Sequence, residues 1–180
     1  MRVGVLALQG DYAAHARTLQ ALGHSTLEIR DAAGLATVDG LVLPGGESST
    51  QLKLIDRFGL EPALHDFVAA QKPVLATCAG IILSAKTVTQ PQQHSFGWLD
   101  IGVARNAWGR QVHSFESTAE DSDLPLVFIR APRITSVGAA VEVLARFGGE
   151  AVWVRQGNVR GATFHPELTA DLRVHAEAFA

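Results

Sequence analysis

Three short apolar runs, Val3 to Leu8, Leu41 to Leu43 and Val74 to Thr77, each stop at a turn carrying glycine: Gln9-Gly10-Asp11, Pro44-Gly45-Gly46 and Cys78-Ala79-Gly80. Uninterrupted apolar runs of strand length suit a parallel sheet, which helices cover on both faces. Between the first two runs, Ala16, Leu19 and Leu22 recur at helical spacing in the segment from Ala13 to Leu22. Gly23 closes that segment, and Thr26 to Arg30 follows as a strand. Gln51 to Phe58 and Glu61 to Gln71 read as two further helices. The pattern predicts a doubly wound, mostly parallel α/β sheet. Sheets of this kind bind ligands at the carboxyl ends of their strands, which makes Gln9, Gly46 and Cys78 expected neighbours despite their separation in sequence.

Beyond Cys78 a helix is expected from Ile81 to Lys86, then a loop from Thr87 to Ser95. Strand-like segments follow at Ile101 to Arg105, Gln111 to Glu116, Leu126 to Arg130, Val137 to Ala145, Ala151 to Arg155 and Val159 to Phe164. Gly148-Gly149 and Gln156-Gly157-Asn158 punctuate them as hairpin turns. The second half therefore reads as an antiparallel addition, and Thr169 as the cap of a last helix. Neither a linker nor a repeat divides the sequence, and residues 1–180 read as one domain.

Composition narrows the function. A net charge of −3 and the lack of a basic run argue against a nucleic-acid surface, and 47% hydrophobic residues argue against disorder. One cysteine rules out an internal disulfide, and no His or Cys cluster has metal-site spacing. The opening apolar run, Val3 to Leu8, is too short for a signal peptide or a membrane span, so a cytoplasmic protein is expected.

The chemistry centres on Cys78. At a sharp strand-to-helix turn its sulfur would stand over the strand ends, beside a helix N-terminus that favours negative charge, as in a nucleophile elbow. Taken alone, such a cysteine is more often an inert core residue. His165-Pro166-Glu167 supplies what a thiol nucleophile requires: in an extended segment residues i and i+2 share a face, so Glu167 would orient the His165 imidazole. The Pro44-Gly45-Gly46-Glu47-Ser48 turn can bring a backbone N–H to a developing oxyanion. No lysine follows it at phosphate-loop spacing.

These segments resemble the class I glutamine amidotransferases, a flavodoxin-like fold family, and within them the glutaminase subunits of pyridoxal 5′-phosphate synthase. The resemblance is carried by Val5 to Gly10, Leu43 to Thr50, Ala76 to Gly80, Arg105-Asn106-Ala107-Trp108-Gly109-Arg110-Gln111, Ser114-Phe115-Glu116, Phe128 to Pro132 and Phe164 to Leu168, in family order. It implies Cys78 as nucleophile, His165 as general acid and base, and Glu167 as the orienting carboxylate. It further implies that Gly46, Glu47, Ser48, Arg105, Ile129 and Arg130 bind L-glutamine, and that N–H groups of Gly46 and Ala79 form the oxyanion hole. Neither cofactor nor metal is implied. The ammonia would pass to a separate (β/α)8-barrel synthase subunit in a large hetero-oligomer, with Gln9 and the segment around Asn106 to Gln111 as candidates for the partner surface or for coupling to it.

One departure is Ala76, where the family usually has glycine. A β-carbon there would cost about 1 kcal/mol if the backbone had to strain. Three alternatives share parts of the pattern: a glutaminase of another pathway, a cysteine hydrolase or stress protein with the same elbow, and a non-catalytic flavodoxin-like module. The Arg105 to Gln111 and Ile129 to Pro132 segments point away from the first. In the second the nucleophile is commonly followed by histidine, and here Ala79 follows it; the third would need none of Cys78, His165 and Glu167.

Overall fold

A computed structural model describes residues 1–106 and 114–180. Its main sheet has seven strands among the described residues: β1 (Arg2–Leu6), β2 (Ser25–Ile29), β3 (Gly40–Leu43), β4 (Val74–Thr77), β10 (Glu142–Phe147), β11 (Glu150–Gln156) and β12 (Val159–Ala162). They lie in the order β10-β11-β12-β4-β3-β1-β2. The run from β12 through β4, β3 and β1 to β2 is parallel, and β11 and β10 extend it as antiparallel strands. The fold is therefore the expected doubly wound sheet with an antiparallel extension. From β1 the chain first moves outward to β2 and then returns to the other side of β1 for β3, which places a topological switch point between β1 and β3.

The apolar runs work on both faces. Leu41 and Leu43 of β3 and Val74 and Ala76 of β4 pack into one core with Leu35, Ile55, Leu64 and Phe67, which lie on or beside α2 (Ala32–Ala36), α3 (Ser48–Arg57) and α4 (Glu61–Ala69). Val42 and Leu75, one position along, turn the other way. They pack with Val3, Val5, Leu19 of α1 (Tyr12–Ala21) and Val174 and Ala178 of α6 (Arg173–Ala178). That alternation is the two-residue period of a strand with helices on either side.

Outside the main sheet, β5 (Ala85–Thr89), β6 (Leu99–Ala104) and β9 (Arg133–Val137) form a second sheet, and β7 (Ser114–Thr118) pairs with β8 (Pro125–Ile129). Several expectations change here. The helix after Cys78, α5 (Ala79–Ser84), ends before Ala85, and residues expected as helix and loop form β5. Ala85 and Val88 are buried while Lys86, Thr87 and Thr89 face out, and the β-branched run Thr87-Val88-Thr89 favours extended backbone.

The segment from Val137 to Ala145 is two strands, broken where the Gly138 N–H turns to the Asp100 carbonyl at 2.7 Å. Helix α2 escaped the sequence reading; it is five residues long and capped by Asp31, whose Oδ1 accepts the Gly34 N–H. Thr169 does not cap α6, which starts at Arg173. Its Oγ1 instead accepts the Asp171 N–H in the approach to the helix. Among the described residues no helix is long and apolar enough to cross a membrane.

Candidate active site

The carboxyl ends of β1, β3, β4 and β12 converge on a pocket of about 340 Å³. Cys78, directly after β4, has φ 48° and ψ −102°, a conformation that L-residues rarely adopt. Its backbone is pinned by the bond from its N–H to the Ala162 carbonyl of β12 (2.9 Å). The sulfur faces the pocket, 4.0 Å from the Ile129 carbonyl oxygen. Ala76 lies inside regular β4, paired with Leu43 and Gly161, so the strained dihedral falls on Cys78 rather than on Ala76.

His165 follows β12, and its N–H donates to the Val127 carbonyl of β8. Its Nδ1 lies 2.7 Å from Oε1 of Glu167. The segment is not extended: Pro166–Leu168 is a single 3₁₀ turn, for which proline pre-sets φ, and the turn folds Glu167 back beneath the imidazole. Burial disfavours the imidazolium, but hydrogen bonding to Cys78 and Glu167 and the charges of both outweigh it and raise His165 to about 10. Burial pushes the Glu167 carboxyl up; His15 and the hydrogen bond from His165 more than offset this and hold it below the ordinary range.

The two glycines play different parts. A β-carbon on Gly45 would lie 2.5 Å from Cε1 of His165 and 3.3 Å from Cβ of Cys78, so the bare backbone of Gly45 lets nucleophile and imidazole approach. Gly46, at φ 148°, packs against Oε1 of Gln9. Gln9 Oε1 also accepts the Glu47 N–H at 2.8 Å, and Gln51 Nε2 donates to the carbonyls of Gln9, Pro44 and Gly45. The turn after β3 is thereby tied to the turn after β1.

Gly46, Glu47, Ser48, Arg105, Ile129 and Arg130 all line the pocket beside Cys78 and His165. The Glu47 carboxylate is already engaged. It caps α3, accepting from Ser49 and Thr50 through both backbone and hydroxyl, and pairs with Arg105 at 3.2 Å. Burial opposes the charge, but those hydrogen bonds prevail and lower Glu47 to about 2. Arg130, at φ 43°, makes no ion pair among the described residues. Ala79 is buried as the first residue of α5 and contributes no lining side chain. Among the described residues no group of three or more His, Cys, Asp and Glu side chains could hold a metal.

Residues 5–179 match the SNO glutamine amidotransferase family. The chain belongs to that family. It is 52% identical to a protein of Koribacter versatilis named pyridoxal 5′-phosphate synthase subunit PdxT, over 97% of this chain and 92% of that protein. A protein of Shouchella clausii with the same name is 48% identical over the same shares. A crystal structure of a glutamine amidotransferase superimposes with a TM-score of 0.90 at 44% identity, covering 97% of this chain and 95% of that one.

Within this family member, Asp11 and Ile82 also line the pocket, though the sequence reading gave neither a role there, as do Leu168 and Asn106, whose side chain is anchored to the Gln90 carbonyl. Gln9, expected beside Gly46 and Cys78 and also a candidate for the partner surface or for coupling to it, lines the pocket with them and braces the turn after β3. The rest of that expected surface, Ala107 to Gln111, lies outside the described residues. Buried His15 and His175 were also missed; a histidine on the inner face of a helix reads like any other core position until its neighbours are known.

Proposed function

We propose that residues 1–180 act as one domain, the cytoplasmic glutaminase subunit of a pyridoxal 5′-phosphate synthase, which hydrolyses L-glutamine to L-glutamate and passes the ammonia to a synthase subunit. The observation that carries this reading is that Cys78 and His165 line one pocket, with the buried Glu167 bonded to His165 behind it, in a member of an amidotransferase family. The partner is a (β/α)8 barrel that uses the ammonia within a large hetero-oligomer.

Glutamine lies in the pocket with its side-chain amide toward Cys78. Arg105 and Arg130 offer positive charge to its α-carboxylate, and the backbone of Gly46, Glu47, Ser48 and Ile129, which line the same pocket, offers hydrogen bonds. The Cys78 thiolate attacks the amide carbon, and N–H groups of Gly46 and Ala79 receive the oxyanion, a contribution of about 3 kcal/mol per donor in enzymes where it has been measured. As the C–N bond breaks, imidazolium His165 gives its proton to the departing ammonia. Neutral His165 then takes a proton from water, the hydroxide attacks the thioester carbon, and the C–S bond breaks to release glutamate and restore the thiolate–imidazolium pair. Glu167, on the far side of the ring, holds Nδ1 and stabilises the imidazolium.

The direct test is covalent capture. A glutamine analogue with a chloromethyl ketone in place of the carboxamide should alkylate the protein once, the Cys78 sulfur displacing chloride to leave a stable thioether seen by peptide mass spectrometry, with L-glutamine protecting. Labelling that persists in Cys78→Ser, or that glutamine does not slow, would remove Cys78 from the reaction.

A further inference from the structure

Behind Glu167 lies a buried polar chain that the hydrolysis above does not use. His15 of α1 and His175 of α6 are both fully buried, and Nδ1 of His15 sits 2.8 Å from Nε2 of His175. Nε2 of His15 lies 3.1 Å from Oγ1 of Thr77, the residue before the nucleophile, and 3.4 Å from Oε2 of Glu167. That second carboxylate oxygen is buried and accepts no hydrogen bond among the described residues, His15 Nε2 being its neighbour at 3.4 Å while bonded to Thr77; Oε1 is taken by His165.

The proton positions follow from which groups would otherwise be stranded. If His15 carried its proton on Nδ1, its Nε2 lone pair would face a carboxylate oxygen, and the buried His175 would hold an N–H on Nδ1 with nothing to receive it. With the proton on Nε2 of both rings, His175 donates to His15, and His15 donates toward Glu167 Oε2 and Thr77. No ring N–H is then stranded, and His175 Nδ1 is left with a lone pair, the smaller penalty. Burial holds both rings in the neutral form: His15 is lowered below its ordinary value, and His175, with His15 beside it, to about 3. His15 therefore acts through its N–H dipole and not as a cation.

We infer that His15 is a positioning residue for the catalytic carboxylate, its Nε2–H holding the second oxygen of Glu167 while His175 fixes the His15 tautomer. Glu167 is then bonded to His165 through Oε1 and flanked on Oε2 by the His15 N–H 3.4 Å away, a short shift from a hydrogen bond, which opposes its swinging away when His165 changes charge. The other charged or titratable groups around this chain are Asp11 at the start of α1, which bears electrostatically on His15, and Cys78 beyond His165. The inference rests on the glutaminase reading.

Its test measures glutamate release against pH, with the synthase subunit present, for wild type, His15→Leu, His15→Gln, His175→Leu and Cys78→Ala. Glutamine's Nε2 can reach the place of the ring Nε2 and keep a donor there. In His15→Leu, kcat should fall about tenfold or more with KM nearly unchanged. Activity on the acid side should also fail about one pH unit higher, the size that one hydrogen bond to a carboxylate corresponds to. His15→Gln should restore most of kcat and the wild-type acid limb. His175→Leu, which frees the tautomer, should move the limb the same way by less, and it decides the matter if His15→Leu does not fold.

Acid limbs that coincide with wild type in every folded His15 and His175 variant, with His15→Gln no better than His15→Leu, would overturn the inference. Residual hydrolysis in Cys78→Ala would instead overturn the glutaminase reading itself.

Discussion

Cys78 occupies a backbone conformation suited to glycine, at φ 48° and ψ −102°, held by neighbours rather than by its own preference. Such strain costs on the order of 1–3 kcal/mol and persists where the surroundings over-determine it. Both Cys78→Ala and Cys78→Gly lose the thiol, but only glycine relieves the turn. After subtracting glycine's greater freedom in the unfolded chain, Cys78→Gly should be more stable than Cys78→Ala by about 1 kcal/mol in denaturant titrations. Equal stabilities would mean that the turn is unstrained. The same alanine variant should change His165, whose value of about 10 depends on the sulfur as well as on Glu167. Its imidazole resonances should titrate at distinctly lower pH in Cys78→Ala than in wild type, and an unmoved midpoint would detach the ring from the thiol. The sequence placed Cys78 at the turn because a single cysteine at the end of a buried strand is a local pattern. His15, 62 residues from Thr77, leaves no local pattern at all, since its meaning depends on a contact made only in the fold.

At the scale of elements, the turn after β3 and the start of α3 are built as one unit. Glu47 is the N-cap, and its value of about 2 lies below its usual 4.5. Its contribution to stability is therefore complete above pH 4.5 and is lost as the pH falls toward 2. Glu47→Gln should lower stability near neutrality by about 1 kcal/mol, the common size of a lost cap; solvent screening of the half-exposed side chain keeps it from being larger. The gap between the two proteins should close as the pH approaches 2. A gap independent of pH would assign the effect to packing.

Gly45→Ala puts a methyl group against His165 and should cut glutamine hydrolysis on the order of a hundredfold while the chain still folds. β4 was legible to the residue, because Val74 to Thr77 lies between a proline and the cysteine turn. β5 was not: Ala85 to Thr89 follows a helix without a glycine or proline to mark the change, and its β-branched run is too short to announce a strand without the pairing with β6. Likewise His165 and Glu167 were expected to meet along extended backbone, and they meet through a 3₁₀ turn, a shape that proline permits as readily.

Across the whole molecule, α1 and α6 close one face of the sheet over two uncharged histidines. Both have folded-state values below the ordinary 6.5, so the unfolded chain takes up protons that the folded chain refuses, and stability should decline as the pH drops below 6.5. Thermal melts of wild type between pH 7 and 4 should show that decline, and His175→Leu should flatten it; parallel profiles would mean that His175 is not held neutral. The doubly wound architecture was readable from three apolar runs and their turns. The antiparallel half was readable as strands but not as separate sheets, because pairing partners are set by packing rather than by local composition.

Glutamate release decides whether this pocket hydrolyses glutamine on behalf of a partner. The chain should release glutamate from L-glutamine with the cognate synthase subunit present, more slowly or not at all without it, and Cys78→Ala should release none. A wild-type chain that stays inactive with the partner bound would mean that the pocket is not a glutaminase site, and a Cys78→Ala chain that remains active would mean that Cys78 is not its nucleophile.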